Sequence, residues 1–228
     1  MKHPTLLALT LSTAFLAACG GGDDSPAPTG PVASTLTFPL AAAYAKGFTT
    51  GVSLNGTAVD GADTYTMSLS ITPVADEVFE GVLSKKSSGA LTMKKNGTVL
   101  GADAISYYYT VNPFTQTGGR YSDGSYAVLT NNTGNFPTAA KVGDAGTVGT
   151  LTLYTSASKT AVKATTQNTW TLEADTATTA FGCVNSVIRD AAGTQTSTAA
   201  GCTKIDTNGN VLGMRYTLSI AGKTLVFK

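Results

Sequence analysis

At residues 64–71 the sequence reads Thr64-Tyr65-Thr66-Met67-Ser68-Leu69-Ser70-Ile71, and every second side chain is apolar. Successive side chains of a β-strand point to opposite faces, so this period of two puts the apolar residues on one face and the hydroxyl groups on the other. A helix would scatter both kinds around its axis. The stretch therefore predicts a half-buried strand in an antiparallel sheet.

Two further runs repeat this alternation. Residues 169–175 place Trp170, Leu172 and Ala174 on one face, and residues 215–220 do the same with another apolar trio. Threonine, which is enriched in strands, is abundant, whereas the strong helix formers Glu, Gln and Arg are scarce. No stretch of twelve residues shows a helical stripe. We therefore expect an all-β protein.

Dipeptides typical of tight turns separate the alternating runs. About 195 residues remain after the N-terminal segment, enough for about a dozen strands and a substantial core. We predict an antiparallel meander forming a β-sandwich or a soluble β-barrel. An integral outer-membrane barrel would alternate as well, and Phe227 resembles its terminal aromatic residue, but Lys228 follows it. The turn signals are Asn55-Gly56, Asp60-Gly61, Asn96-Gly97, Asp123-Gly124, Ala192-Gly193, Asn208-Gly209 and Ala221-Gly222.

Turn positions also predict which residues lie opposite each other. A hairpin centred on Ala192-Gly193 sets Cys183 directly opposite Cys202, within the Cα distance that a disulfide spans. The alternative is a pair of buried free thiols. A hairpin centred on Ala221-Gly222 pairs Leu218 with Leu225 and Tyr216 with Phe227, so that apolar residues share one face.

The N-terminus carries the features of an export signal. A short basic start precedes an apolar run over residues 5–18, which is too short to span a bilayer as a helix. The run ends in Leu16-Ala17-Ala18-Cys19, which resembles the lipobox of bacterial lipoproteins. The resemblance implies removal of a signal peptide over residues 1–18, lipid attached to Cys19, and a membrane partner held through the acyl chains.

Residues after Cys19 favour the outer membrane of a Gram-negative cell, because Gly20 stands where an aspartate would favour inner-membrane retention. The Gly-, Asp- and Pro-rich stretch that follows predicts a disordered tether. We assign residues 19–34 to the lipidated cysteine and linker and residues 35–228 to a single all-β domain. That domain would face the periplasm or the cell surface.

Loss of the signal changes the available chemistry. Lys2 and His3 leave with it, so the mature chain has 14 basic and 14 acidic residues and no histidine. Most Ser-His-Asp and Cys-His catalysis and most zinc or copper sites need an imidazole. We expect no enzyme, no catalytic residue, no metal site and no cofactor, and the low charge argues against a nucleic-acid partner. A histidine-free carbohydrate enzyme using two carboxylates is the catalytic alternative.

Two motifs are interpreted as coincidences. Ser156-Ala157-Ser158-Lys159 has the S-x-x-K spacing of penicillin-binding enzymes, but it lies between predicted strands where the motif needs a helix. Asp206 opens an oxygen-rich stretch that suggests a calcium loop. Val211 and Thr217 occupy its glycine and glutamate positions, so a hairpin turn is the better interpretation.

A candidate binding surface lies in the least strand-like part of the chain, residues 112–146. Aromatic residues and arginine in loops on a β scaffold are typical of interfaces, and Tyr108 must point away from the face that Tyr107 and Tyr109 share. The alternative is that these aromatics cap the core under a long loop. The side chains assigned to the surface are Tyr108, Phe114, Arg120, Tyr121 and Tyr126.

These observations predict a lipid-anchored envelope protein with a non-enzymatic binding or scaffold function. Its partner would be an envelope polysaccharide or protein. A surface-exposed adhesive domain is the second hypothesis, since Thr- and Gly-rich β domains occur in that role. Lys85, Lys86, Lys94 and Lys95 form a local basic spot on a predicted hairpin, where they would either bind anionic groups or keep an edge strand soluble.

Overall fold

The structure, a computed structural model, describes residues 30–220 and 223–228. The predicted signal peptide, Cys19, most of the tether and the Ala221-Gly222 turn lie outside the described residues. In the described part of the chain no helix is long and apolar enough to cross a bilayer.

Fourteen strands and one helix make up the described chain. The elements are β1 (Thr37–Phe38), α1 (Leu40–Thr49), β2 (Val52–Asp60), β3 (Asp63–Phe79), β4 (Val82–Lys95), β5 (Thr98–Val111), β6 (Phe114–Tyr121), β7 (Tyr126–Asn131), β8 (Ala140–Lys141), β9 (Ala145–Tyr154), β10 (Val162–Ala174), β11 (Thr179–Asp190), β12 (Gln195–Asp206), β13 (Val211–Ile220) and β14 (Lys223–Phe227).

Twelve of the strands form one antiparallel sheet in which β2 to β7 and β9 to β14 follow one another in chain order. The sheet rolls up until its first and last strands meet. Thr57 and Lys228 exchange two backbone hydrogen bonds of 3.0 and 3.3 Å across that junction. The fold is therefore all-β and nearly a closed barrel, which excludes the predicted sandwich.

The junction is incomplete along part of its length. β14 pairs only with the second half of β13, from Tyr216 onward. Beyond it, Val211–Arg215 of β13 face the start of β2, and no backbone hydrogen bond joins the two strands there in the described chain. Side chains alone close the barrel wall along this line, which we call the seam.

The local predictions are confirmed. Residues 64–71 lie within β3, where Met67 is buried and packs inside the barrel with Met93 and Phe227. Cys183 and Cys202 are register partners joined by a disulfide, with their Cα atoms 3.9 Å apart. In the C-terminal hairpin, Tyr216 pairs with Phe227 and Leu218 with Leu225, as predicted.

Several of the predicted turns are present. The turn predicted at Asn55-Gly56 is wrong, because this dipeptide lies in the middle of β2. A Cβ atom on Gly56 would lie 2.8 Å from the Cβ of Phe227. Glycine is therefore required there by the close approach of β14, not by a turn. Asp206 accepts hydrogen bonds from the backbone N–H groups of Asn208 and Asn210, which confirms the hairpin interpretation of that segment.

The sequence analysis did not predict helix α1. Leu40 points at Gly182 of β11, Gly47 faces Val211 of β13, and the Phe48 ring packs on Tyr107 of β5. These strands lie on different sides of the barrel, so α1 sits inside one of its ends. The helix is only ten residues long and four of them are alanine, so its two sides differ too little for a helical stripe to mark it.

Residues just before position 35 already contact the sheet. Val32 forms an isolated bridge with Asp175, and the hydroxyl of Ser34 donates a hydrogen bond to the Ala177 carbonyl. Residues 32–34 therefore already contact the β10–β11 turn. This anchors the incoming chain at the same end of the barrel that α1 occupies.

Candidate functional site

A cavity of about 290 Å³ lies inside the barrel beneath α1. Its lining comes from α1 and from ten of the twelve strands, so it lies on the inner side of the rolled sheet. This volume lies at the lower end of the ~300–1,000 Å³ typical of small-molecule sites. The apolar side chains facing it include Leu54, Leu69, Ile71, Leu129, Val148, Leu151, Val184 and Met214.

Aromatic rings of α1 form the roof of the cavity. Tyr44 stacks on Phe136 with ring centroids 4.2 Å apart, and Phe48 packs against Phe114 at 5.3 Å. The carbonyl of Phe48, near the helix C-terminus, accepts hydrogen bonds from the hydroxyls of Ser87 and Tyr109. These bonds satisfy a backbone group that the helix end would otherwise leave unpaired. They also fix α1 to the wall.

Apart from Arg215, the polar residues of the lining are uncharged. Burial raises the pKa of Tyr107 and of Tyr216, and the proximity of Tyr216 raises that of Tyr107 further. Both phenols are therefore neutral at physiological pH. Gln116 and Asn168 contribute amide groups, and the Asn168 oxygen accepts a hydrogen bond from Ser186. The cavity is thus an apolar space with a few neutral hydrogen-bonding groups.

The disulfide lies on the opposite face of the wall. Arg215 alternates with the interior residues Met214 and Tyr216, and its guanidinium is 3.5 Å from the sulfur of Cys202. The carboxylate of Glu173 forms a salt bridge with the same guanidinium. Glu173 and the two cysteines lie close enough together to resemble a metal site. Their sulfur atoms are bonded to each other, however, and the carboxylate is paired with Arg215.

The predicted binding surface does not form as one exposed patch. Tyr108, Phe114 and Tyr126 are buried, with exposed fractions of 0%, 4% and 5%. Residues 114–121 and 126–131 are strands, so most of the supposed loop belongs to the sheet. Phe114 faces the interior, and burial raises the pKa of Tyr121 on the same face. Only Arg120 of the five is exposed.

Tyr108 is buried although it lies on the outer face. The tip of the β3–β4 hairpin, residues 75–84, bends away from the sheet and covers it; we call this segment the outer hairpin. The ring of Phe79 stacks on Tyr108 with centroids 4.2 Å apart. Glu77 pairs with Arg120 at 2.6 Å, and Arg120 lies over the Tyr108 ring. The sequence analysis did not predict this hairpin. Glu80-Gly81, which forms its turn, is the sequence feature that could have indicated it.

Charged groups hold the end of the outer hairpin. Tyr126 donates a 2.7 Å hydrogen bond to Glu80, which also pairs with Lys159. The hydrogen bond from Lys159, followed by that from Tyr126, lowers the pKa of Glu80. Burial, followed by the hydrogen bond with Glu80, raises the pKa of Tyr126 to about 12.

We expect the outer hairpin to weaken at high pH. Because folding raises the pKa of Tyr126, its contribution to stability is complete below about pH 10 and is lost between pH 10 and 12. The wild type should lose about 1–2 kcal/mol relative to Tyr126→Phe across that interval, less than the full shift implies because Glu80 is partly solvated. Urea unfolding of both proteins at pH 8, 10 and 11.5 measures the difference. An identical pH dependence of the two would contradict the assignment.

The predicted basic spot is largely neutralised, and its hairpin is a single strand, β4. Lys85 pairs with Asp76, Lys86 with Glu77 and Lys95 with Asp63. Lys94 remains exposed on the outer face. The spot therefore resembles a solubilised strand more than an anion-binding surface.

The S-x-x-K motif lies in the β9–β10 turn. The Ser156 and Ser158 hydroxyls share a 2.8 Å hydrogen bond, and Lys159 pairs with Glu80. The lysine is thus directed to the outer hairpin.

Comparison with known proteins gives no match. No protein-family model matches the chain, and no curated protein or solved structure is significantly similar to it.

Proposed function

We propose that the protein is a lipid-anchored component of the bacterial outer membrane whose barrel binds a small apolar molecule in the interior cavity. The observation that carries the binding role is the cavity itself, a space of about 290 Å³ lined mainly by aliphatic and aromatic side chains. Burying apolar surface releases about 25 cal/mol per Å², so such a lining favours apolar guests. The lipobox at Leu16-Ala17-Ala18-Cys19 supports the anchor.

This proposal moves recognition from the surface to the interior. The aromatics first assigned to an exposed surface are largely buried, so they do not support binding of an envelope polymer there. The carbohydrate-enzyme alternative requires two carboxylates in a cleft. The residues lining the cavity in the described chain include no Asp or Glu. Binding without catalysis is the function that this lining supports best.

The neutral dye N-phenyl-1-naphthylamine, whose fluorescence rises in apolar surroundings, tests the binding role. We expect it to bind the wild type at micromolar concentrations. Leu69→Trp, which fills part of the cavity, should weaken binding by at least about tenfold, or 1.4 kcal/mol. Trp170, the single tryptophan of the chain, lies inside the barrel and should transfer energy to the bound dye.

Ser68→Trp is the matched control. Ser68 is exposed on the outer face of the same strand, so the added indole should leave the affinity within about twofold. No dye binding to the folded wild type, or equal binding by both variants, would contradict an interior site.

A further inference from the structure

We infer that the interior cavity selects neutral ligands and excludes their anionic counterparts. This inference rests on the proposed binding function and adds the chemical class of the ligand: an uncharged, mostly apolar molecule that carries a hydroxyl or carbonyl group. The inference is drawn from the positions of the charged and neutral groups around the cavity.

No cation is available to an anion in the cavity. Arg215 is the only charged residue of the lining in the described chain. Its guanidinium lies on the other face, where it pairs with Glu173 and sits 4.6 Å above the Phe181 ring. A buried anion without a partner loses several kcal/mol of hydration that nothing restores.

Other charges near the inner face do not help an anion. Asp103 lies two residues before Ile105 and four before Tyr107, so it shares their face of β5, and its negative charge contributes to raising the pKa of Tyr107 and Tyr121. Lys95 lies over the Tyr65 ring and is paired with Asp63 at 2.6 Å. Neither charge gives an anion in the cavity an unpaired cation.

Neutral hydrogen-bonding groups are available instead. Tyr107 lies on β5 and Gln116 on the neighbouring strand β6, and both border the cavity. Within the described chain, neither side chain makes a hydrogen bond with another protein group. Tyr216 of β13 contributes a second phenol to the lining. A ligand hydroxyl or carbonyl can bond with these groups without any ionic partner.

Two dyes with the same aromatic skeleton test the selectivity. N-phenyl-1-naphthylamine is neutral, and 1-anilinonaphthalene-8-sulfonate adds one negative charge to it. Both are titrated into the wild type and into Leu69→Trp, and the part of each signal lost in the variant is assigned to the cavity. We expect the cavity to bind the neutral dye about 100-fold more tightly.

The outcomes separate the two proposals. A cavity affinity more than tenfold higher for the neutral dye than for the anionic dye supports selection by charge. Cavity affinities within tenfold of each other overturn it while leaving the binding function intact. If neither dye shows a component that Leu69→Trp removes, the binding function fails, and the inference fails with it.

Discussion

Gly118→Ala is expected to lower the free energy of unfolding by about 3 kcal/mol, at the upper end of the cost of overpacking. A Cβ atom at this position would lie 2.2 Å from the Ala127 carbonyl oxygen and 2.5 Å from Cζ of Phe79. The first contact is with backbone of the neighbouring strand, which has little freedom to move. The second would push Phe79, and with it the outer hairpin, off Tyr108.

Gly101→Ala provides the control. It also replaces a strand glycine by alanine, but no atom lies within 4 Å of the added Cβ. Its stability should stay within about 0.5 kcal/mol of the wild type. Chemical denaturation at neutral pH measures both changes. Equal effects of the two substitutions would show that the outer hairpin does not lie against Gly118 in solution.

Cys19→Ser is expected to release nearly all of the protein from membranes. Each buried CH₂ of an acyl chain contributes about 0.8 kcal/mol, so the two or three chains implied by the lipobox hold a protein almost permanently. Serine has no thiol to accept the diacylglyceryl group. The full chain, expressed in a Gram-negative host, should move from the membrane pellet to the soluble fraction.

Ser25→Ala, a change in the predicted tether, should leave the protein in the membrane fraction. Mass spectrometry of the N-terminal peptide adds a direct readout, since the wild type should carry acyl chains on Cys19. Unchanged fractionation of Cys19→Ser, or an unmodified cysteine in the wild type, would refute lipidation.

The features that could be predicted from the sequence are local. Alternation in residues 64–71 identified an inner face of β3 because the strand period is two wherever the strand lies. The Cys183–Cys202 pairing followed from one hairpin, whose arms are linked by a short turn. Neither inference needed knowledge of distant parts of the chain.

The remaining features depend on distant contacts. Closure of the sheet joins Thr57 to Lys228, and no local sequence pattern predicts this pairing. Asn55-Gly56 has the sequence of a turn, but glycine is required at position 56 by the close approach of Phe227. That contact comes from a residue far away in sequence and cannot be predicted locally. Helix α1 is short and rich in alanine, so its buried and exposed sides differ too little in sequence to mark it.

The candidate site was missed for the same reason. Its lining residues are spread over α1 and ten strands, and each one resembles an ordinary inward-facing core residue in its own strand. Only the rolled sheet shows that these residues surround an unfilled volume. Tyr108 was placed correctly on the face opposite Tyr107 and Tyr109, but the hairpin that buries it is supplied by β3 and β4.

The seam has a kinetic consequence. Where β2 and β13 meet without backbone hydrogen bonds, parting the strands costs only side-chain packing, so this line frays at a lower free energy than the laddered wall. Val52 and Leu54 on one side and Val211 and Met214 on the other also border the cavity. On the proposed binding role, a guest would therefore exchange through brief local fraying here, without unfolding of the barrel.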